Sequence, residues 1–267
     1  MPIAKSQSED IYYEIYGEGE PLLLIMGLSL NSLSWYRSIP EFSKHYQVIA
    51  FDNRGTGQSS KPSSPYSIKQ MAADARAVLD DAGVNAAHIY GISMGGMIAQ
   101  RIAIDYPERV RSLILGCTTP GGSVHVQPAP EVSMQMMQRA NMDGTPEEIA
   151  WAAAPILYSP EFLEQHRSEV AADINRKIET PTPAYAYMRQ LEACLAHDTY
   201  EHLSNIKVPT LVIHGNEDTL VPYDNGKRLA TEINQAELLT IEGAGHMYSS
   251  EAPEQVHQSV LSFLKSL

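Results

Sequence analysis

Residues 89–100, IYGISMGGMIAQ, contain one serine, Ser93, at the point where an apolar stretch passes into a helical pattern. Glycine in a regular element costs roughly 0.5–1 kcal/mol relative to alanine, so its repeated use here indicates that side chains must be absent. In a sharp turn between a strand and a helix, the neighbouring backbone would clash with side chains at Gly91 and Gly95. Such a turn projects the serine hydroxyl above the sheet, at the positive end of the helix dipole. The pattern therefore predicts a nucleophilic serine at position 93.

A serine hydroxyl is a weak nucleophile until a base accepts its proton, and a third group must hold that base in place. Of the nine histidines, His246 is the one that follows a predicted strand in a loop flanked by glycines, within IEGAGHMYSSEAPE. Gly243 and Gly245 are expected to give this loop the freedom to carry the imidazole over the sheet edge. His214, at the end of an earlier predicted strand, is expected to pack in the core. His246 is therefore the predicted base.

An acidic residue for this site is expected in HGNEDTLVP, because sites in parallel sheets gather at the carboxyl ends of the strands. Asp218 has this position, with Glu217 and Asp224 as alternatives. Asp224 stands near the start of the next predicted helix, where an acidic side chain is stabilised by the helix dipole. Asp218 is therefore the predicted partner of His246.

Acyl transfer also needs hydrogen-bond donors for the negative charge that develops on the substrate oxygen. The turn at Ser93 supplies one donor, the backbone N–H of Met94. A second donor is predicted in the loop after PLLLIMG, at the backbone N–H of Leu28. Three polar residues in the same loop are candidates for further donors: Ser29, Asn31 and Ser32.

Alternating strands and helices must position these residues. Continuous apolar runs separated by helical patterns indicate parallel strands that are buried on both faces. The stretch DIYYEIYGEGEPLLL instead predicts a hairpin with Gly17 and Gly19 in its turn, and hence an antiparallel edge. Strands are predicted at 10–17, 21–27, 46–52, 86–93, 110–118, 208–218 and 236–243, and helices at 67–82, 94–106, 223–233 and 253–267.

The segment 120–204 has a different character, because helix starts replace the strand-like runs. Each start combines a Thr or Ser at the N-cap with a Pro at the first helical position: Thr145, Ser159 and Thr182. We predict that residues 120–204 form a helical cap inserted into an α/β core of residues 1–119 and 205–267. The many methionines of this cap, with Trp151, Tyr185 and Tyr187, favour an apolar or adaptable pocket.

The composition restricts the partners and the location. The 267 residues include 19 Lys and Arg against 32 Asp and Glu, a formal net charge of -13. This sign opposes binding to nucleic acid and to anionic membranes, so a small molecule is the expected partner. No signal-peptide pattern and no apolar run near the ~20 residues of a spanning helix are visible, which predicts a cytoplasmic protein. Cys117 and Cys194 are expected to be free thiols, and the oligomeric state is left open.

Four motifs resemble those of the α/β-hydrolase fold superfamily: GISMGG, FDNRGTGQSSKP, HGNEDTLVP and GAGHMYSSEAPE. The second of them, with the 22 residues that follow it, resembles the branch of 3-oxoadipate enol-lactonases, small esterases and cofactor-free haloperoxidases. The resemblance covers nearly the whole chain. It implies a mostly parallel, eight-stranded twisted sheet with helices on both faces and an inserted helical cap. It also implies a Ser93–His246–Asp218 triad, an oxyanion hole formed by the amides of Leu28 and Met94, and no metal or organic cofactor.

The chain departs from the family pattern at one position. Many members have His-Gly where this chain has Met26 followed by Gly27, and the missing imidazole would help to fix the oxyanion loop through hydrogen bonds. Methionine can pack there instead, so the departure bears on the substrate rather than on the fold. The candidates for substrate contacts are Met26, Trp151 and Met247. Three residues match a family turn that is usually structural and are assigned no chemistry: Asp52, Arg54 and Gly57.

The leading hypothesis is a serine hydrolase that cleaves a carboxylic ester or lactone through an acyl-enzyme intermediate. Alternatives within the enzyme class are enol-lactone hydrolysis, perhydrolysis as in haloperoxidases, and hydrolysis of carbon–carbon bonds. An enol-lactonase for a dicarboxylic substrate should offer a cation from the cap. Candidates for that cation, which also fit solvated helix faces, are Arg139, Arg176 and Arg189. The alternative from a different class is a non-catalytic ligand-binding protein with this fold.

Overall fold

The computed structural model describes residues 2–267, in which eight strands form one sheet. The strands are β1 (Ile3–Ser6), β2 (Glu9–Tyr16), β3 (Glu20–Ile25), β4 (Tyr46–Phe51), β5 (Ala87–Ile92), β6 (Val110–Gly116), β7 (Thr210–Gly215) and β8 (Ala236–Ile241). Their order across the sheet is β1-β2-β4-β3-β5-β6-β7-β8. All neighbours from β4 to β8 are parallel, and β1–β2 and β2–β4 are antiparallel. The predicted mostly parallel, eight-stranded sheet is confirmed.

Eleven α-helices accompany this sheet among residues 2–267. They are α1 (Ile39–Phe42), α2 (Ile68–Asp81), α3 (Met94–Asp105), α4 (Pro130–Gln138), α5 (Pro146–Leu157), α6 (Pro160–Gln165), α7 (Arg167–Ile178), α8 (Ala184–Leu195), α9 (Asp224–Glu232), α10 (Tyr248–Glu251) and α11 (Pro253–Lys265). Short 3-10 helices cover Ser32–Trp35, Pro107–Arg109, Gly122–Val124, Arg139–Asn141 and Tyr200–Asn205. None of these helices is long and apolar enough to cross a membrane.

The strands bury alternate residues in two cores, one on each face of the sheet. In β3, Leu23 and Ile25 pack into the core beneath α2, α3 and α9. Leu22 and Leu24 pack into the opposite core, beneath α1, α10 and α11. Because successive side chains of a strand point to opposite faces, a strand covered on both faces must be apolar throughout. This accounts for the uninterrupted PLLLI run.

The antiparallel edge is present, but the predicted hairpin is wrong. β2 pairs with β4, with Tyr13 opposite Phe51, and it does not pair with β3. The hairpin that does form joins β1 to β2, across a turn in which Gln7 has φ of 56°. Gly17 and Gly19 lie in the predicted turn region with φ of 70° and 109°, but their turn carries the chain past β4 to the far side of that strand. Glycine and turn patterns indicate a reversal of direction, whereas the choice of neighbouring strand depends on burial of the whole sheet.

The segment between β6 and β7 contains α4 to α8 and a small apolar core of its own, which includes Ala154, Phe162 and Val170. Two predicted N-caps are observed, at Thr145 and Ser159, whose hydroxyls accept hydrogen bonds from the third residue of their helices. The third predicted helix begins one residue later than expected, with Pro183 rather than Thr182 at its N-cap. The Thr182 hydroxyl donates to the carbonyl of Ser29 instead, and α8 begins after Pro183 without a side-chain cap.

A buried ion pair holds the turn that follows β4. Arg54 donates from Nε and Nη2 to the two carboxylate oxygens of Asp74 on α2, at 2.6 and 2.7 Å, and both side chains are at most 3% exposed. The residues beside Arg54 reach the loop after β3: Asp52 accepts a hydrogen bond from the N–H of Ser32, and Asn53 donates to the carbonyl of Met26. The matched family turn is therefore a structural support for the loop after β3.

Replacing Asp74 by alanine leaves the Arg54 guanidinium buried without its partner, so we expect the free energy of unfolding to fall by about 3–5 kcal/mol. Replacing Lys44 by alanine, which removes an exposed pair with Glu41, should change it by less than about 1 kcal/mol. Chemical denaturation followed by circular dichroism measures both variants. If the free energy of unfolding fell by a similar small amount in both variants, the buried pair would have no structural role.

Candidate active site

Ser93 occupies the turn between β5 and α3. Its backbone has φ of 57° and ψ of -119°, a conformation that is strained for a residue with a side chain. Four hydrogen bonds hold its backbone. Its N–H donates to the carbonyl of Gly116 at 2.8 Å, and its carbonyl accepts from the N–H groups of Gly96 and Met97 at 2.9 and 3.1 Å and from the hydroxyl of Thr118 at 2.8 Å. The contact from Thr118 was not predicted, because it joins two strand ends that are distant in sequence.

The glycines around Ser93 are required by close backbone approach. A Cβ on Gly91 would overlap the carbonyl oxygen of Gly95, and a Cβ on Gly95 would overlap the carbonyl oxygen of Ile25 in β3. Helix α3 thus begins directly against the ends of two strands. This tight packing is the reason that the sequence places glycines on both sides of the serine.

His246 and Asp218 are in direct contact. The Nδ1 of His246 lies 2.7 Å from Oδ2 of Asp218, and both residues are 5% exposed. The other oxygen of Asp218 accepts hydrogen bonds from the N–H groups of Leu220 and Val221 at 2.9 and 2.8 Å. Burial alone would raise the pKa of Asp218, but the His246 charge and hydrogen bonds from both neighbouring histidines lower it below its ordinary value. Asp218 is therefore a carboxylate at neutral pH, and Nδ1 of His246 is the donor of the pair.

The two alternatives to Asp218 do not reach this histidine. Glu217 and Asp224 are exposed, and Asp224 lies in the first turn of α9, where it pairs with Lys227. Asp218 alone among the three is buried beside an imidazole.

Two further residues contact Asp218 and were not predicted to do so. His214, fully buried at the end of β7, has Nε2 3.4 Å from Oδ2 of Asp218 and 2.8 Å from the carbonyl of Val221. The thiol of Cys117 lies beside the same carboxylate, and burial together with that charge raises the pKa of Cys117. Both cysteines of the chain are free. The spacing of four residues between His214 and Asp218, across a strand end, is a signal that could have indicated the contact.

Cys117, His214 and Asp218 bring three potential metal-ligand atoms within 4.8 Å of one another. However, Nε2 of His214 faces the carbonyl oxygen of Val221, which can only accept a hydrogen bond, so this nitrogen carries hydrogen and donates it. A protonated nitrogen has no lone pair for a metal. The arrangement is therefore explained by hydrogen bonding to the carboxylate.

Contacts with the segment 120–204 fix the His246 loop. The N–H of Gly245 donates to Glu251 at 3.0 Å, and the Ser159 hydroxyl donates to the same carboxylate at 2.6 Å. Burial raises the pKa of Glu251, although the hydrogen bonds from Ser159 and Gly245 oppose the shift. The prediction that Gly245 provides freedom was wrong, because a Cβ there would lie 2.8 Å from the backbone nitrogen of Ser159. Gly243, with φ of 73°, is the residue that needs glycine for its backbone conformation.

The loop after β3 packs directly against Ser93. A Cβ on Gly27 would lie 3.1 Å from Cβ of Ser93 and 3.7 Å from its Oγ. The hydrogen bonds formed within residues 2–267 leave the N–H groups of Leu28 and Met94 without an acceptor. The first N–H groups of a helix have no partner within the helix, which explains Met94.

The backbone N–H groups of Ser29 and Ser32 and the side chain of Asn31 form hydrogen bonds with other parts of the protein, whereas the buried Ser29 hydroxyl has no partner among residues 2–267. The N–H of Ser29 donates to Oε1 of Gln190 at 2.8 Å, and that of Ser32 donates to Asp52 at 2.8 Å. The Asn31 side chain bonds Thr180 and caps the 3-10 helix that follows. These donors therefore support the loop instead of facing the cavity.

Gln190 and Asn53 brace the loop in which Met26 replaces the usual histidine. The Gln190 side chain accepts from Ser29 and donates to the carbonyl of Arg54 at 2.8 Å, and Asn53 donates to the carbonyl of Met26 at 2.9 Å. Both amides are buried. Hydrogen bonds from two other elements thus hold the loop without an imidazole.

A cavity of about 520 Å3 opens at Ser93 and His246. Of the predicted substrate contacts, Met26 and Met247 line this cavity, as does Leu28. Trp151 does not: it packs in the apolar core of the segment 120–204 with the Arg167 guanidinium 4.3 Å from its ring. Of the three candidate arginines, Arg139 lines the cavity, whereas the other two form exposed pairs: Arg176 with Glu179, and Arg189 with Glu192.

The fold and the position of this site, at the carboxyl ends of parallel strands, are those of an α/β hydrolase. The family model described as alpha/beta hydrolase fold matches residues 20–253, and the chain belongs to this family.

Known relatives are similar over nearly their whole length. The putative carbamate hydrolase RutD of Azorhizobium caulinodans is 32% identical over 263 residues, which are 98% of each chain. The 3-oxoadipate enol-lactonase 2 of Acinetobacter baylyi is 30% identical and covers 97% of this chain and 95% of its own. The crystal structure of the enol-lactonase from Burkholderia xenovorans LB400 superposes with a TM-score of 0.86 at 26% identity, covering 99% of this chain and 100% of the other.

Replacing Gln190 by leucine leaves the buried N–H of Ser29 and carbonyl of Arg54 without partners, so we expect the free energy of unfolding to fall by about 1–3 kcal/mol. Gln165, an exposed residue whose side chain bonds only Glu161, provides the matched control. Its replacement by leucine should change stability by less than about 0.5 kcal/mol. Urea denaturation compares the two, and equal stabilities would mean that Gln190 does not brace the loop.

Proposed function

We propose that this protein is a serine hydrolase that cleaves a carboxylic ester or lactone through an acyl-enzyme intermediate. One observation carries the proposal: His246, which is paired with the buried carboxylate of Asp218, lines the same cavity as a serine held in a strained turn. Nucleophile, base and orienting acid are the three groups that this reaction needs.

In the proposed mechanism, Oγ of Ser93 attacks the substrate carbonyl while Nε2 of His246 accepts the hydroxyl proton. The imidazolium then donates this proton to the leaving oxygen, which leaves an acyl group on Ser93. Water attacks the acyl group, with His246 again as base, and the imidazolium returns the proton to Oγ of Ser93 as the acid is released. Asp218 holds Nδ1–H of His246 and stabilises the imidazolium, and the carboxylate is itself held by Leu220 and Val221.

The oxyanion of each tetrahedral intermediate is proposed to bind the N–H groups of Leu28 and Met94. Their lack of protein acceptors and the packing of Gly27 against Ser93 support this assignment. Donors that are already in place cost no reorganisation when the charge develops, and each is worth roughly 10²- to 10³-fold in kcat.

We propose that residues 120–204 act as a cap on a core of residues 1–119 and 205–267. The two ends of this segment are bonded to each other, because the N–H of Thr199 donates to Pro120 at 2.9 Å and that of Gly122 to His197 at 3.1 Å. Such a closed neck is typical of an inserted unit. Its helices α4, α5, α7 and α8 contribute cavity walls.

A carbamate substrate is the second candidate, because a relative 32% identical over 98% of both chains is named as a putative carbamate hydrolase. A carbamate carbonyl would use the same nucleophile, base and oxyanion donors. A p-nitrophenyl carbamate and a p-nitrophenyl ester of equal size separate the two, since the better substrate class has the higher kcat/KM.

The direct test is the release of p-nitrophenol from a series of acyl esters from acetate to octanoate. We expect wild-type protein to turn over repeatedly and Ser93→Ala to lower kcat by at least about 10³-fold, because the nucleophile is removed. Ser168→Ala, which removes an exposed hydroxyl, should retain full activity.

Loss of activity in both serine variants would point to misfolding, which circular dichroism checks. Equal turnover by wild type and Ser93→Ala would refute the proposed mechanism. A single turnover without release would favour a ligand-binding protein.

A further inference from the structure

Two cationic side chains face the cavity without an acidic partner. Lys177, in the last turn of α7, is half-buried and has neither a hydrogen bond nor an ion pair within the described part of the chain. Arg139, at the start of the 3-10 helix after α4, has its guanidinium 4.9 Å from the ring centre of Tyr187 and no carboxylate beside it. Their neighbour Arg176, on the solvent side of α7, is by contrast paired with Glu179.

The acids that line the same cavity do not balance these cations. Asp173 is four residues before Lys177, but its oxygens are taken by the hydroxyls of Tyr36 and Tyr158, at 2.7 and 2.9 Å, and by Arg37. Asp198 is exposed at the neck and accepts from the N–H of Tyr200. Neither carboxylate contacts Lys177 or Arg139.

Two histidines of the cavity wall, His125 and His197, add no charge that would alter this balance. Burial lowers the pKa of His197 to about 4 and also lowers that of His125, so both are largely neutral at neutral pH. Burial, with the like charge of Arg139, lowers the pKa of Lys177 well below its ordinary value. Two half-buried basic groups without an anion are an unfavourable arrangement, which favours loss of the proton from Lys177. A carboxylate bound between them would restore the charge balance and the proton of Lys177.

We propose that Lys177 and Arg139 form an anion subsite that binds a carboxylate of the substrate, remote from the carbonyl that is cleaved. This rests on the proposed function and narrows its substrate class to esters or lactones that carry a free carboxylate. Arginine binds carboxylates through two parallel hydrogen bonds, and lysine adds a point charge. The rest of the cavity, with Met26, Ile156 and Leu191 in its wall, suits the hydrocarbon chain between the two groups.

The net charge of the protein makes such a subsite necessary for an anionic substrate. At -13, the chain repels anions at long range, so any preference for them must come from local cations inside the cavity. A neutral substrate would gain nothing from Lys177 and Arg139 and would leave both without a counter-ion.

The test compares mono-p-nitrophenyl adipate with its methyl ester, which has the same chain but no charge, at constant ionic strength. We expect wild-type kcat/KM to be about 10- to 100-fold higher for the acid, since hydrogen bonds to a charged group are worth that factor. Lys177→Met and Arg139→Met should each remove most of this preference through KM, with little change for the methyl ester. Lys177→Arg should retain part of it. Arg176→Met, on the same helix but facing solvent, should behave as wild type.

A binding measurement keeps the subsite separable from the proposed chemistry. Calorimetric titration of Ser93→Ala with adipate should show binding that weakens at least about 10-fold in Ser93→Ala/Lys177→Met and is unchanged in Ser93→Ala/Arg176→Met. Turnover of both esters at equal kcat/KM, with no adipate binding, would overturn the subsite and leave the proposed function intact. Adipate binding that depends on Lys177, without turnover of any ester, would support the subsite and overturn the proposed function.

Discussion

At the end of β5, the backbone of α3 lies so close to β3 that a Cβ on Gly95 would overlap the carbonyl oxygen of Ile25. This approach forces Ser93 into a strained conformation with its side chain on the cavity side. It also brings the loop after β3 against the same residue, with a Cβ on Gly27 only 3.1 Å from that of Ser93. The strain at one residue is maintained because the two cores that flank the sheet bury the surrounding strands completely. The packing that stabilises the sheet therefore also maintains the geometry of the site.

The loops around this turn are held by hydrogen bonds from the segment 120–204. Gln190 accepts from the loop after β3, and Ser159 shares the Glu251 carboxylate with the loop of His246. The N–H of Met247 also donates to the carbonyl of Leu157, at the end of α5. Because buried polar groups are costly when unpaired, a shift of these helices would disturb both loops. The helices between β6 and β7 therefore form cavity walls and also fix the positions of the loops that carry the candidate catalytic groups.

Charge is distributed unevenly over the molecule. The chain is strongly acidic, and its buried carboxylates are compensated: Asp74 by Arg54, and Asp218 by two histidines and two backbone N–H groups. Lys177 and Arg139 are the exception in the cavity wall, since neither has an acidic partner and the charge of Arg139 disfavours that of Lys177. An arrangement that is unfavourable in the empty protein is a common feature of binding sites, where the ligand supplies the missing partner.

Local patterns in the sequence predicted seven of the eight strands, all but β1, and most helix starts, and they placed Ser93, Asp218 and His246 at strand ends, because periodicity and turn chemistry act within a few residues. The glycines at 91 and 95 also indicated a turn in which backbone segments approach closely. The partner of β2, the contact of Cys117 with Asp218, and the use of Thr182 to bind Ser29 were decided by the tertiary structure alone. The tertiary structure also decided that Lys177 lines the cavity and that Arg176 does not. Each of these depends on which distant surfaces are buried against one another, and no local propensity encodes that choice.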